Sequence, residues 1–189
     1  MEEITSGTCR SLIRIVVTGS ESTGKSGLAA ALAAHYGAEL VPEFVREYAE
    51  TKRAPLTFAD HGPIARGQMA LEDHHAAIAA SRRGILVQDT DLLSTVVYCD
   101  HYFGACPQWI ADLAEERRPD LYLLPDIDVP WIADGIRDRG DRREEMHELF
   151  LDAVVASGAP YVVIEGSWEE RWRRAVESVN ALLARGIDR

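Results

Sequence analysis

Residues Gly19 to Ser26 read G-S-E-S-T-G-K-S, with Ser20, Glu21, Ser22 and Thr23 between two glycines and Lys25-Ser26 at the end. Gly19 and Gly24 let the backbone curl, so that successive N–H groups point inward at phosphate oxygens with no Cβ in the way. Lys25 can reach β- and γ-phosphates as a mobile point charge, and the Ser26 hydroxyl stands where it can ligate Mg2+. The positive end of a following helix adds to the attraction. An apolar run, Leu12 to Val17, precedes the loop, and an alanine-leucine segment, Leu28 to Ala34, follows it. A glycine-rich turn that binds nothing would not need that strand-to-helix setting, so the loop predicts a nucleoside triphosphate with Mg2+. Leu28, Ala31 and Leu32 are expected on one buried helix face, and Gly37 at the helix stop.

Carboxylates and arginines recur at the ends of later apolar runs. Asp89 follows G-I-L-V-Q, where such proteins hold magnesium, directly or through water. Alternatively Asp89, Thr90 or Asp91 caps the next helix. Glu43, in V-P-E-F-V-R-E-Y, could accept a proton from a substrate hydroxyl or hold a ribose. Arg46, one turn on, could pair with Glu43 or approach a phosphate; otherwise the two form a surface ion pair. Asp134 to Arg143 holds Arg137, Arg139, Arg142 and Arg143 in a glycine-punctuated stretch. Beside a phosphate loop this is lid chemistry, arginines that neutralise a transferring phosphoryl group and exclude water, over a segment of about residues 126–143. Trp131, Tyr98, Tyr102 and Phe103 could stack on a base, although most aromatics are core.

These residues need a scaffold that brings strand ends together. Four further β-rich runs follow the first: Ala38 to Val41, Ile85 to Val87, Leu121 to Leu124 and Tyr161 to Ile164. Segments with helical spacing lie between them, one running from Phe58 to Arg82 behind Thr57 as N-cap, with Asp60 three residues on. Apolar runs without alternation indicate strands covered on both faces. The expected fold is a P-loop α/β domain, a five-stranded parallel sheet with helices on both faces and an arginine-bearing lid. Ligands then sit outside the carboxyl ends of the strands, with Glu165, Gly166 and Ser167 completing the set after the last one.

The chain of 189 residues fits one domain spanning 1–189. A formal net charge of −11 opposes binding to nucleic acid or an anionic membrane, which leaves a small local anion as the expected ligand. Cys9, Cys99 and Cys106 match no zinc or redox motif, and the histidines add no metal-ligand pattern. No segment approaches the ~20 apolar residues of a membrane span, and Met1-Glu2-Glu3 lacks a secretory start, so a cytoplasmic location is expected. Nothing in the sequence specifies an oligomeric state, and no N-K-x-D guanine motif appears.

The chain resembles the ribosylnicotinamide kinase domain of the NadR family, within the P-loop nucleoside kinases. The resemblance rests on G-S-E-S-T-G-K-S, V-P-E-F-V-R-E-Y, A-R-G-Q at Ala65 to Gln68, Q-D-T-D at Gln88 to Asp91, P-W-I-A-D-G-I-R at Pro130 to Arg137, and G-S-W-E-E-R at Gly166 to Arg171. It implies ATP-dependent phosphorylation of the ribose 5′-hydroxyl of nicotinamide riboside. It also implies an ATP site built from Gly19 to Ser26, Arg137, Arg139, Ser167 and Trp168, with Mg2+ on Ser26 and Asp89. The riboside would meet Glu43, Arg46, Asp89, Asp91 and Trp131. The base stays open among the carboxylates, with Glu43 chosen by analogy to nucleoside kinases. Gly27 departs from the family threonine, and no adenylyltransferase signature is present, so adenylylation would fall to another protein. Two other functions compete: a kinase for another nucleoside or nucleotide, and an ATP-binding regulatory switch.

Overall fold

Alternating apolar and polar segments resolve, in a computed structural model describing residues 12–130 and 142–186, into strands separated by one or two helices. They are β1 (Ile13–Val17), α1 (Lys25–Tyr36), β2 (Glu39–Val41), α2 (Phe44–Lys52), a short 3-10 turn (Phe58–Asp60), α3 (His61–Ala80) and β3 (Ile85–Asp89). Then come α4 (Leu92–Phe103), α5 (Gln108–Glu116), β4 (Leu121–Pro125), α6 (Arg143–Ser157), β5 (Tyr161–Ile164) and α7 (Trp168–Gly186). Trp131, Arg137 and Arg139 lie outside the described residues, as does most of the expected lid.

The five strands form one parallel sheet in the order β2-β3-β1-β4-β5, as expected for the P-loop α/β class. Alternate residues of each strand face opposite sides. Ile15, Val17, Ile85, Val87, Leu121 and Leu123 pack against α1 and α7. On the other side Val16 and Tyr122 meet Val154 of α6, and Leu86 meets Ala79 of α3. Both faces are therefore covered, which is why the strand runs read as continuously apolar. Register pairs Val17 with Asp89 on one side and with Leu123 on the other, so the carboxyl tips of β1 and β3 lie level and β4 runs two residues further, to Pro125.

Local chemistry accounts for most element ends. Gly37 ends α1 in the left-handed region at φ +59°. Asp60 accepts hydrogen bonds from both the N–H and the hydroxyl of Thr57, at 2.6 Å each, so the expected cap is present. That segment opens with one 3-10 turn and ends at Ala80, two residues short of the expected Arg82. Ala31 is exposed: with 100° per residue the buried face of α1 is Leu28, Ala29, Leu32, Ala33 and Tyr36, and Ala31 falls outside it. Cys99 and Cys106 are free. Among the described residues no helix is long and apolar enough to cross a membrane.

Candidate functional site

Between β1 and α1 the loop turns through φ +134° at Gly19, +54° at Ser22 and +84° at Gly24. Positive φ without strain is what glycine supplies at its two ends. The Ser20 carbonyl inside the turn accepts from Lys25 Nζ at 2.6 Å and from Thr23 Oγ1 at 3.0 Å, which holds the lysine over the loop. No side chain caps the N-terminus of α1, so its positive end faces the loop without a competing acid. Gly24 is constrained twice, because a Cβ there would stand 2.2 Å from the Trp168 indole. Trp168 itself is 60% exposed.

Beside the loop, at the tip of β3, Asp89 is buried. The Ser26 hydroxyl donates to its carboxylate, and its Oδ1 atom has no hydrogen-bond partner. Burial pushes its pKa up, assisted by repulsion from Glu43 and opposed by Ser26, Lys25 and Arg46. A buried, unsatisfied carboxylate oxygen next to a serine hydroxyl fits a hard divalent cation. Among the described residues no three or more His, Cys, Asp or Glu side chains group as a metal cage. One carboxylate, one hydroxyl and phosphate oxygens are the ligand set magnesium favours.

Glu43 precedes α2 and ion-pairs with Arg46 at 3.4 Å, one helical turn on. It borders a cavity of about 460 Å³ walled by α2, the Pro55–His61 segment, α3 and α4. Tyr98 and Tyr102 stack along that wall with centroids 6.2 Å apart and planes 5° apart, while Phe103 meets His61 edge-on at 5.1 Å. Gln68 also lines it, and its Oε1 accepts from the Phe44 N–H at 3.0 Å. This bond ties α3 to the residue after Glu43.

Gly67 lets that contact close. A Cβ there would lie 2.1 Å from the Phe44 ring. Gly67→Ala is expected to destabilise the fold by about 1–3 kcal/mol through overpacking, despite a helix-propensity gain of about 1 kcal/mol. The displaced Phe44 should also carry Glu43 with it, and thermal melting beside acceptor KM would report both effects.

Asp91 caps α4 by accepting from the Leu93 N–H at 3.1 Å, and accepts from the Tyr122 hydroxyl at 2.7 Å. Of the three alternatives weighed for this cap, Asp91 is the one used. Thr90, between the two aspartates, sits at φ +67°, a costly position for a β-branched residue, and that turn sends Asp89 and Asp91 to different tasks. Burial raises the Asp91 pKa from 3.8 to about 7. The folded state then holds more protons than the unfolded chain between those values, so stability falls as pH rises through that window. Asp91→Asn keeps the cap and removes the charge. It should flatten this fall, and raise the melting temperature above about pH 8.

Of the residues singled out from the sequence, Lys25, Ser26, Glu43, Arg46 and Asp89 converge at the carboxyl edge of the sheet. Asp91 borders the cavity while capping α4. Ser167 immediately precedes α7, its N–H and hydroxyl donating to Glu170 at 2.8 and 2.7 Å. Two arginines lie beside the loop: Arg143, one of the four expected lid arginines, and Arg171, which was not among the site residues expected. Arg143 Nη2 donates to the Ser22 carbonyl at 3.2 Å, and Arg171 Nη1 to the Thr23 carbonyl at 3.1 Å. Only the G-S-W-E-E-R segment pointed to Arg171, and only by resemblance.

The chain is 28% identical over 176 residues to the trifunctional NAD biosynthesis/regulator protein NadR of Escherichia coli (strain K12), a match covering 89% of this chain and 42% of that protein. The Salmonella typhimurium protein of the same name gives the same figures. The chain thus spans less than half the length of the curated relatives it matches. Among solved structures, NadR in complex with NR superposes with a TM-score of 0.75 at 27% identity, covering 92% of this chain and 52% of that one. NadR with NAD and AMP-PNP gives 0.73 at 26%, covering 92% and 49%. The resemblance expected from the short motifs therefore extends along the chain. A model of the AAA domain family matches residues 14–171, from β1 into the first turn of α7, and the chain belongs to that family.

Proposed function

We propose that this chain transfers the γ-phosphoryl group of ATP to the ribose 5′-hydroxyl of nicotinamide riboside, giving nicotinamide mononucleotide and ADP. One observation carries the proposal: the phosphate loop and an aromatic-walled cavity meet at two carboxylates that face each other, Asp89 on the loop side and Glu43 on the cavity side. The cavity's volume falls in the range that small-molecule sites occupy. The NadR similarity supports nicotinamide riboside over other nucleosides.

Lys25 and the loop amides would bind the β- and γ-phosphates. Ser26 and Asp89 would hold Mg2+, which when bound neutralises phosphate charge. Glu43 would accept the proton of the 5′-hydroxyl as that oxygen bonds to the γ-phosphorus, while the bond to the bridging oxygen breaks and ADP leaves. Arg46, one turn from Glu43, would approach the acceptor end, and Asp91 would border the riboside. Tyr98 and Tyr102 would flank the nicotinamide ring, together with Trp131 from beyond the described residues. Arg137 and Arg139 would close over the triphosphate, and Trp168 would face its base beside Ser167. The chain would act as one domain in the cytoplasm.

The test is a Glu43→Gln variant titrated with nicotinamide riboside in a calorimeter and then assayed with Mg-ATP. Binding within threefold of the native protein and a turnover loss of about 10²–10⁴ are expected for removal of a general base. Retained turnover with bound riboside would remove Glu43 from that role.

A further inference from the structure

Arg171, in the first turn of α7, is only 1% exposed although it carries a full charge. Nε donates to the Gly166 carbonyl at 2.9 Å, Nη1 to the Thr23 carbonyl at 3.1 Å, and Nη2 to the Asp126 carbonyl at 2.9 Å and to the Asp128 carboxylate. The Trp168 ring lies 5.4 Å from its guanidinium carbon. Burying a cation is costly even when it is paired, and an apolar side chain of like volume would fill the same space without that cost. An arginine here therefore needs a task that hydrocarbon cannot perform.

We propose that Arg171, with Arg143, is a positioning residue that orients the phosphate-binding amides of the loop before any anion arrives. The proposal rests on the loop binding ATP. In a planar trans peptide the carbonyl and the following N–H point in opposite directions. Holding the Thr23 carbonyl against α7 turns the Gly24 N–H the other way, toward the side from which a phosphate approaches. Arg143 does the same one residue earlier, since its bond to the Ser22 carbonyl directs the Thr23 N–H. Gly24, at φ +84°, imposes little of its own on the Thr23–Gly24 peptide, because glycine tolerates either orientation. A flip of that peptide would present a carbonyl oxygen to the phosphate in place of an N–H, replacing attraction by repulsion. Arg143 also donates to the Val129 carbonyl at 2.7 Å, so the same clamp joins the loop to the segment after β4.

Arg171→Lys retains the charge but cannot span Gly166, Thr23 and Asp126 together. Calorimetry should show Mg-ATP binding weakened about 30-fold, the loss expected for one charge-assisted hydrogen bond. Adenosine binding should change less than threefold, because only the phosphates meet the misoriented amides. Asp128→Asn removes the ion pair and keeps the carbonyl contacts, so it should lower the melting temperature while leaving Mg-ATP affinity within threefold. Should the lysine variant fail to fold, Arg143→Gln, which removes the Ser22 bond, should show the same selective loss. Equal weakening of ATP and adenosine, or an Asp128→Asn loss as large as that of Arg171→Lys, would overturn the proposal. A native protein that does not bind Mg-ATP would instead sink the triphosphate reading on which it rests.

Discussion

Replacing Lys25 by alanine should lower phosphoryl transfer about a thousandfold or more while barely changing the melting temperature, since one preorganised charge at a transferring group is worth about 10²–10³ or greater. The two effects separate because of where the ammonium lies. Lys25 Nζ donates to the Ser20 carbonyl at 2.6 Å, and Thr23 Oγ1 donates to the same oxygen at 3.0 Å. Removing Lys25 leaves the Ser20 carbonyl its bond from Thr23, and the fold loses little. The triphosphate, however, loses a cation on the β- and γ-oxygens where charge accumulates as the bond breaks. ADP formation at saturating acceptor, measured beside thermal melting, checks the prediction. A variant retaining a tenth of native turnover would contradict it.

Asp89→Asn should give the second large effect, a loss of about a hundredfold or more at saturating ATP together with a requirement for higher Mg2+. Stability should move the other way. Burial is the main reason the Asp89 pKa is raised, so a neutral isostere relieves a desolvation penalty and still accepts from Ser26. A variant that is inactive yet as stable as the native protein, or more so, marks a residue kept for chemistry and not for packing. The raised pKa also means that Asp89 takes up its proton at a higher pH than an ordinary aspartate. The apparent Mg2+ affinity should therefore fall on acidification before that of a solvent-exposed carboxylate would. Magnesium titrations of turnover at a series of pH values test this directly.

What could be read from the sequence was whatever local spacing encodes. G-S-E-S-T-G-K-S is contiguous, and its glycines are needed by the backbone itself, so loop, strand and helix could be placed together. Thr57 and Asp60 are three residues apart and bond as such spacing permits. The tips of the apolar runs identified Glu43 and Asp89 because parallel strands end on one edge. The contacts that escaped notice are non-local. Arg171 reaches Thr23 across 148 positions, and nothing in the neighbourhood of W-E-E-R marks that arginine as buried. Gly67 is a helix glycine whose reason is the ring of Phe44, twenty-three residues earlier. Asp89 and Asp91 look alike in Q-D-T-D, and only the positive φ of Thr90 separates an acid facing the loop from a helix cap. Tyr98, Tyr102 and Phe103 could be named as candidate stacking residues, but that they wall one cavity shows only when α2 and α3 are set opposite them.

The most direct test of the central claim is product analysis by mass after incubating the chain with Mg-ATP and a panel of nucleosides that includes nicotinamide riboside. Nicotinamide mononucleotide should form with one ADP per product, faster than any other phosphorylated nucleoside in the panel. Phosphorylation of a different nucleoside with none of nicotinamide riboside would contradict the acceptor assignment. If no acceptor accelerates ADP formation above its basal rate, phosphoryl transfer itself is contradicted.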